Sequence, residues 1–168
     1  MVRIVAFGGV SNSGKTTLIE KLILLLSDKY DILAIKHDSK NKAVFDTYGK
    51  DSEKFFRAGA DVVISSNEKS AIFLHNKQEL QKICLDFAFK DYIFIEGYKD
   101  IVIPRICVAR GKIFYEEIKN SHAIAIDDMD LSWQKNSFCG EILNLNEVMM
   151  IFKWIEKNAK TPKELGWI

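Results

Sequence analysis

The chain has 168 residues and a formal net charge of +1, with 48% hydrophobic and 28% charged residues. This length predicts a single domain over residues 1–168, and the charge balance argues against a broad nucleic-acid-binding surface. The three cysteines form no C-x-x-C pair, which argues against a zinc site or a disulfide framework and favours a reducing cytoplasm. The longest apolar run is far too short to span a bilayer, so we expect a soluble, cytoplasmic protein without membrane contact.

The N-terminal segment predicts a strand, a helix and a second strand. Residues 2–7 form a β-branched-rich run before Gly8 and Gly9, as expected for a buried parallel strand. Apolar side chains then cover most of the circumference of a helix predicted over residues 15–29, and residues 31–36 predict the next strand. Together these elements predict a right-handed βαβ unit.

The middle of the chain predicts a long loop followed by a helix and a hairpin. Residues 37–50 are polar and show no periodicity, and loops of this length are usually functional. A short helix is expected from Asp51 to about Gly59, because glycine favours a helix end. Residues 61–65 and 70–74 predict the two strands of an antiparallel hairpin around a polar turn.

The remaining residues alternate between helix and strand patterns. Amphipathic helices are predicted over residues 78–89 and 147–157. The fully apolar run 92–95 predicts a central strand, and residues 105–109 and 123–126 predict two further strands. This alternation predicts an α/β fold with a mostly parallel sheet, helices on both faces and a small β-hairpin extension.

Residues 9–16 match the phosphate-binding pattern G-x-x-x-x-G-K-[ST], between an apolar strand and an apolar helix. Glycine permits positive φ and close approach of the backbone to phosphate, and the following helix N-terminus favours an anion. Lys15 would add positive charge near the β- and γ-phosphates, and the Thr16 hydroxyl would coordinate Mg²⁺. The predicted fold is therefore a three-layer sandwich of the P-loop NTPase type. The predicted nucleotide ligands in this segment are Gly9, Ser11, Asn12, Ser13, Gly14, Lys15, Thr16 and Thr17.

Glu96 follows the apolar strand 92–95 and directly precedes Gly97. The carboxyl ends of parallel strands form the edge where ligands bind in open α/β sheets. Beside the phosphate-binding loop, Glu96 would hold Mg²⁺ through water or orient an attacking water, so it is a catalytic candidate together with Lys15. The alternative is a solvated acid at a strand end with no role.

Lys36 and His37 end the second predicted strand, at the same ligand edge. His37 is a candidate metal ligand or phosphate donor, and the alternative is a polar cap. Asp46 lies in the following loop and is a candidate ligand of the nucleotide or the metal. With three histidines spread along the chain, a histidine-rich metal site is not supported. The predicted metal ligands are Thr16, Asp46 and Glu96.

Five short blocks, together with the phosphate-binding loop, resemble the molybdopterin-guanine dinucleotide biosynthesis protein B (MobB) family. In the family's order these blocks are Ile35-Lys36-His37, Gly49-Lys50-Asp51-Ser52, Arg57-Ala58-Gly59-Ala60, Ile95-Glu96-Gly97-Tyr98-Lys99 and Pro104-Arg105-Ile106-Cys107-Val108-Ala109-Arg110. Residues 38–42 lack the additional histidines that family members often carry, and Tyr48 stands where many members have proline. No role of those histidines is therefore carried over to this chain.

The resemblance implies a homodimeric GTP-binding protein with weak GTPase activity that uses Mg²⁺. Family members assist a partner enzyme, the molybdopterin guanylyltransferase, which attaches GMP to the molybdopterin cofactor. Carried over to this chain, Glu96 and Gly97 would stand at a Walker-B-like motif, and Lys36, His37 and Asp46 in the polar segment after the second strand. The hairpin region at residues 66–74 is a candidate dimer contact, because an open strand edge invites a partner.

Two other function classes remain open. One is a small-molecule kinase using ATP, which normally needs an arginine-bearing lid, and the other is a binding module without hydrolysis. No clean Asn-Lys-x-Asp segment is present to read guanine; Asp127 and Asp128 are candidate acceptors, and a preference for GTP over ATP rests on the resemblance. Slow hydrolysis is predicted because the sequence shows no evident arginine finger. The arginines of the chain are Arg3, Arg57, Arg105 and Arg110.

Overall fold

The computed structural model describes residues 1–44, 46–110, 115–127 and 138–168. The chain divides into two compact units, one formed by Met1–His37 with Cys84–Ile168 and the other by Asp38–Ile83. A single nucleotide-binding domain over the whole chain stays a prediction. In chain order the elements are β1 (Arg3–Gly8), α1 (Lys15–Leu26), β2 (Ile32–Lys36), α2 (Asp51–Arg57), β3 (Val62–Ser65), β4 (Ser70–Phe73), α3 (Leu80–Asp86), β5 (Tyr92–Glu96), β6 (Arg105–Ala109), α4 (Tyr115–Ile118), β7 (Ala123–Ile126), β8 (Glu141–Asn144) and α5 (Val148–Asn158).

The first unit is built on a six-stranded sheet in the order β2-β5-β1-β6-β7-β8. All neighbouring strands in it run parallel. The strands β1, β5, β6 and β7 are almost entirely buried, because a parallel sheet covered on both faces selects continuous apolar runs. Since parallel strands end at one edge, the residues that follow β1, β5, β6 and β7 meet at that edge.

Helices pack on both faces of this sheet. On one face, Val5 and Phe7 of β1 share a buried cluster with Leu18 and Leu22 of α1 and with Ile155 of α5. On the other face, Ile118 of α4 packs with the buried side chains of Cys107 and Ile124. The predicted α/β architecture, with a mostly parallel sheet and helices on both faces, is therefore confirmed.

The second unit contains α2 and the antiparallel pair of β3 and β4, which forms a separate two-stranded sheet. The register places Val62 opposite Phe73. Phe56 of α2 stacks on His75 with ring centroids 3.9 Å apart, and its ring also meets Phe73 edge-on. The predicted hairpin is therefore present, and aromatic packing against α2 supports it.

Some element boundaries differ from the sequence prediction. The predicted helix over residues 78–89 is shorter, since α3 spans Leu80–Asp86, and α1 ends at Leu26. The short helix α4 and the strand β8 were not predicted. Helix α4 has four residues, too few for a helical period, and β8 begins and ends with polar residues. Among the described residues, no helix has the length and apolar character needed to cross a membrane.

Candidate nucleotide-binding site

The loop between β1 and α1 has the backbone conformation of a phosphate cradle. Gly9, Asn12 and Gly14 adopt positive φ values of 124°, 63° and 96°. A Cβ atom at Gly9 would lie 2.2 Å from the carbonyl oxygen of Val108, so the close packing of the loop on β6 requires glycine there. The loop is thus folded tightly over the sheet edge, directly before the N-terminus of α1.

Lys15 is the first residue of α1, and its side chain folds back over the loop. Its Nζ atom donates to the carbonyl oxygen of Val10 at 2.6 Å. Burial lowers the pKa of this ammonium, and the negative charge of Glu96 partly opposes that shift. A partly desolvated cation at the start of a helix is suited to bind a phosphate group.

Two further features leave hydrogen-bonding capacity inside the cradle. Ser13 is 2% exposed, and its Oγ atom has no hydrogen-bond partner among the residues that the structure describes. The N-cap of α1 is Gly14, which has no side chain to accept from the N–H groups of the first turn. Ser11, Asn12 and Thr17 are exposed around this centre. The predicted phosphate ligands therefore lie together, with donors available to an anion.

Thr16 and Glu96 meet beside the cradle. The Thr16 hydroxyl donates to Oε2 of Glu96 over 3.0 Å. The contact forms because β5 pairs with β1 and places Glu96 opposite Phe7, at the end of the sheet where α1 begins. A hydroxyl and a carboxylate oxygen are hard ligands of the kind Mg²⁺ takes together with phosphate and water oxygens, so the pair fits this ion. Among the described residues, no three His, Cys, Asp or Glu side chains are arranged to hold a metal ion.

Lys36, His37 and Gly97 also lie at this edge. Lys36 pairs with Glu96 across β2 and β5, and the backbone N–H of His37 donates to the Glu96 carbonyl at 2.9 Å. The His37 ring stacks on Tyr98 with ring centroids 4.2 Å apart. Gly97 has a φ of 101°, and a Cβ atom there would lie 2.9 Å from Cβ of His37. The sequence did not predict the contact between Tyr98 and His37.

Asp46 belongs to the second unit, and its predicted metal and nucleotide roles stay predictions. Its Oδ1 atom accepts from the backbone N–H of Thr47 at 2.7 Å. Asp46 lines a cavity of about 560 Å³ within that unit, together with Glu53, Phe56 and Arg57. Its Oδ2 atom is buried and has no hydrogen-bond partner in the described part of the chain.

Arg105 and Arg110 occupy positions near the site that sequence reasoning did not assign. Arg105 is buried and donates to the carbonyl oxygens of Gly97 and Tyr98, at 2.8 and 2.7 Å, so it holds the segment after Glu96. Arg110 follows β6, and its Nε atom lies 3.3 Å from the position of a Cβ atom at Gly14. For Arg110 the available signal was a charged residue directly after a buried strand, the same pattern that identified Glu96.

Asp127 follows β7 and forms an ion pair with Arg110, with 3.6 Å between Oδ2 and Nε. Asp127 is the first of the two residues proposed from the sequence as guanine acceptors. The second, Asp128, lies outside the described residues. The described acid is therefore engaged with a guanidinium beside the phosphate loop.

Comparison with known proteins assigns the chain to a family. The model of the family described as "Molybdopterin guanine dinucleotide synthesis protein B" matches residues 4–128. A relative in Escherichia coli, named molybdopterin-guanine dinucleotide biosynthesis adapter protein, is 30% identical over 94% of this chain and 95% of its own length. A relative in Methanocaldococcus jannaschii is 32% identical over 76% of this chain, and the match spans 56% of that relative.

Comparison with solved structures supports the α/β fold described above. The crystal structure of Bacillus subtilis MobB is 21% identical and matches with a TM-score of 0.71, over 90% of this chain and 96% of that chain. The match to the family model begins in β1 and includes the phosphate loop, Glu96 and Arg110. On these grounds the chain belongs to the molybdopterin guanine dinucleotide synthesis protein B (MobB) family.

Proposed function

We propose that the chain is a GTP-binding adapter protein with slow GTPase activity, which assists a molybdopterin guanylyltransferase in converting molybdopterin to its guanine dinucleotide form. Family membership and the name of the E. coli relative, which the chain matches over 95% of its length, support the adapter role. The observation that carries the nucleotide-binding part is the 3.0 Å contact between Thr16 and Glu96, next to Lys15 at the start of α1.

The residues of the cradle have distinct tasks in this proposal. The loop amides and Lys15 bind the β- and γ-phosphates. Thr16 and Glu96 would hold Mg²⁺, which would neutralise phosphate charge. Glu96 also orients a water molecule by accepting its hydrogen bond. The water oxygen forms a bond to the γ-phosphorus as the bond from that phosphorus to the bridging β–γ oxygen breaks, and the two protons of the water leave with the phosphate, which yields GDP and inorganic phosphate.

In this proposal the protein acts as a homodimer. In the antiparallel pair of β3 and β4, Val63 lies directly opposite Ile72, so both side chains project from the same face of the hairpin. They are 67% and 64% exposed, respectively, and Leu74 directly after β4 is also exposed. An apolar pair on a two-stranded ribbon with open edges is suited to pack against a second copy. We expect sedimentation to give a dimer for the wild type and a shift toward monomer for the variant Ile72→Lys.

Nucleotide titration tests the proposal. GTP and ATP are titrated into the purified protein with and without Mg²⁺, using wild type, Lys15→Ala and the control Lys21→Ala, which changes an exposed lysine of the same helix. We expect binding that favours GTP and is strengthened by Mg²⁺, lost in Lys15→Ala and retained in Lys21→Ala. Preference for ATP with phosphate transfer to a small acceptor would instead identify a kinase.

A second measurement tests the adapter role. The guanylyltransferase is assayed for guanine dinucleotide formation with wild-type protein and with Lys15→Ala. Wild type is expected to raise the yield, whereas Lys15→Ala is not, because the adapter acts through its bound nucleotide. An equal effect of both proteins would contradict the coupling between nucleotide binding and assistance.

A further inference from the structure

Arg110 and Asp127 form a charged pair at the ligand edge of the sheet. Arg110 follows β6 and Asp127 follows β7, and these neighbouring parallel strands bring the two side chains to an Nε–Oδ2 distance of 3.6 Å. The side chains are 50% and 34% exposed, respectively, so the pair is accessible from solvent. It lies outside the group of Lys15, Thr16 and Glu96 described above.

The guanidinium of Arg110 lies directly against the phosphate loop. A Cβ atom at Gly14 would be 3.3 Å from Nε, 3.6 Å from Cζ and 3.8 Å from Nη2 of Arg110. Gly14 is the residue immediately before Lys15 and the N-cap of α1. The loop backbone and the guanidinium therefore face the same space, at the end of the cradle next to β6.

The sheet order indicates which end of a bound nucleotide this space receives. Strand β1 lies between β5 and β6, and the contact between Thr16 and Glu96 lies on the β5 side. Arg110 and Asp127 lie on the opposite side of β1, after β6 and β7. For a triphosphate with its terminal phosphate at Thr16, Arg110 is therefore placed on the side of β1 away from that phosphate.

We propose that Arg110 binds the α-phosphate of the nucleotide and that Asp127 is a positioning residue for the Arg110 guanidinium. This inference rests on the proposed nucleotide binding. A guanidinium has five N–H donors in a planar fork, so an ion pair at Nε leaves the two Nη groups for phosphate oxygens. Because the Asp127 carboxylate is paired with Arg110, it acts through that side chain and does not read the base.

The test uses stereochemically pure α-thio nucleotides, in which one non-bridging oxygen of the α-phosphate is replaced by sulfur. Dissociation constants are measured for GTP, ATP and both isomers of their α-thio analogues, using wild type, Arg110→Ala and Arg110→Lys. The control is Arg57→Ala, which removes a comparably exposed arginine paired with Glu53. The control is expected to bind as wild type does.

We expect Arg110→Ala to weaken binding by about tenfold to a hundredfold, as for the loss of hydrogen bonds to a charged group. Wild type should bind one isomer less tightly than the other, since sulfur is a poor acceptor, and Arg110→Ala should bind both equally. The affinity of Arg110→Lys should lie between those of wild type and Arg110→Ala, because an ammonium keeps the charge but lacks the planar fork. Unchanged binding, or unchanged discrimination between isomers, would overturn the assignment of Arg110.

A double-mutant cycle tests the role of Asp127. Asp127→Asn should weaken binding in wild type and have no further effect in the Arg110→Ala background, because it acts through Arg110. If Asp127→Asn weakened binding further in the Arg110→Ala background and changed the ratio of GTP to ATP affinity, Asp127 would read the base and its positioning role would be overturned. Preference for ATP would contradict the proposed GTP specificity while leaving the α-phosphate contact measurable with ATP.

Discussion

The Nη2 group of Arg105 donates to the backbone carbonyl of Tyr98 over 2.7 Å, and Arg105 is only 2% exposed. The same guanidinium donates to the carbonyl oxygens of Gly97 at 2.8 Å and Ile101 at 3.1 Å. The side chain of the first residue of β6 therefore fixes the segment that follows Glu96. This arrangement links the sheet interior to the position of a proposed catalytic carboxylate.

Replacing Arg105 by methionine should destabilise the protein strongly. The variant keeps an unbranched side chain but leaves three carbonyl groups without their donor, and the free energy of unfolding should fall by about 2–3 kcal/mol, as for hydrogen bonds to a charged group that leave buried partners unsatisfied. Arg105→Lys should retain part of the stability. Urea unfolding measures the free energy of unfolding of both variants. The control Arg3→Met removes an exposed guanidinium that donates to the backbone carbonyl oxygens of Glu156 and Ala159, and we expect a loss of about 1 kcal/mol or less. Equal effects at the two positions would contradict this interpretation.

Glu96→Gln should slow hydrolysis with little effect on Mg²⁺-free nucleotide binding. The amide keeps the volume of the side chain but removes the charge that would hold Mg²⁺ and orient water, so the hydrolysis rate should fall about 10²-fold. Lys15 and the loop amides are unchanged, so an affinity measured without Mg²⁺ should be preserved. Phosphate release from GTP under single-turnover conditions is the measurement, with Glu156→Gln as an exposed control. A wild-type rate in Glu96→Gln would remove Glu96 from the mechanism.

The predicted part of the site comes from local sequence patterns. The phosphate loop is a contiguous motif between a strand and a helix, and Glu96 follows a fully apolar run, so neither inference needed the order of strands in the sheet. The structure places the two together because β5 pairs with β1. The long apolar helix α1 and the amphipathic helix α5 were recognisable for the same reason.

The parts that were missed depend on non-local pairing. Arg110 follows a buried strand just as Glu96 does, but its position beside Gly14 depends on β6 neighbouring β1, which no local pattern encodes. Arg105 reads as an ordinary strand residue until the carbonyl groups of residues 97–101 are seen around it. The stacking of His37 on Tyr98 likewise requires the register of β2 against β5.

Gly9→Ala should be far more disruptive than an alanine substitution at another glycine with positive φ. At Gly9 the new Cβ atom would lie 2.2 Å from a backbone oxygen, so the loop must move away from β6. At Gly166, with a φ of 70°, nothing lies within 4 Å of the new atom, and the expected cost is about 1 kcal/mol of left-handed strain. For Gly9→Ala we expect a loss of about 3 kcal/mol from combined strain and overpacking, with loss of nucleotide binding. Urea unfolding and GTP titration measure both effects, and similar losses in the two variants would contradict the packing argument.

The stability of the fold should depend on pH through His122. Its Nδ1 atom accepts from the backbone N–H of Arg105 over 3.3 Å, a hydrogen bond that only the neutral ring can make. Loss of hydration lowers the pKa of His122 below 6.5, and the positive charges of Lys160 and Arg105 lower it further. Between the lowered pKa and 6.5 the unfolded chain therefore binds more protons than the folded chain, so stability rises with pH across this window.

The contribution of His122 is present above pH 6.5 and is lost as the pH falls through the lowered pKa of the folded state. His122→Gln keeps a side-chain acceptor without a titrating group, so its unfolding free energy should fall less steeply than that of wild type on acidification. The measurement is urea unfolding from about pH 7.5 to about pH 5, where the ordinary histidine titrates. High salt should reduce the difference between the two curves only in part, because it screens the charges of Lys160 and Arg105 but not the burial that is the main cause of the lowered pKa. Parallel curves for the two proteins at low salt would show that His122 does not couple folding to protonation.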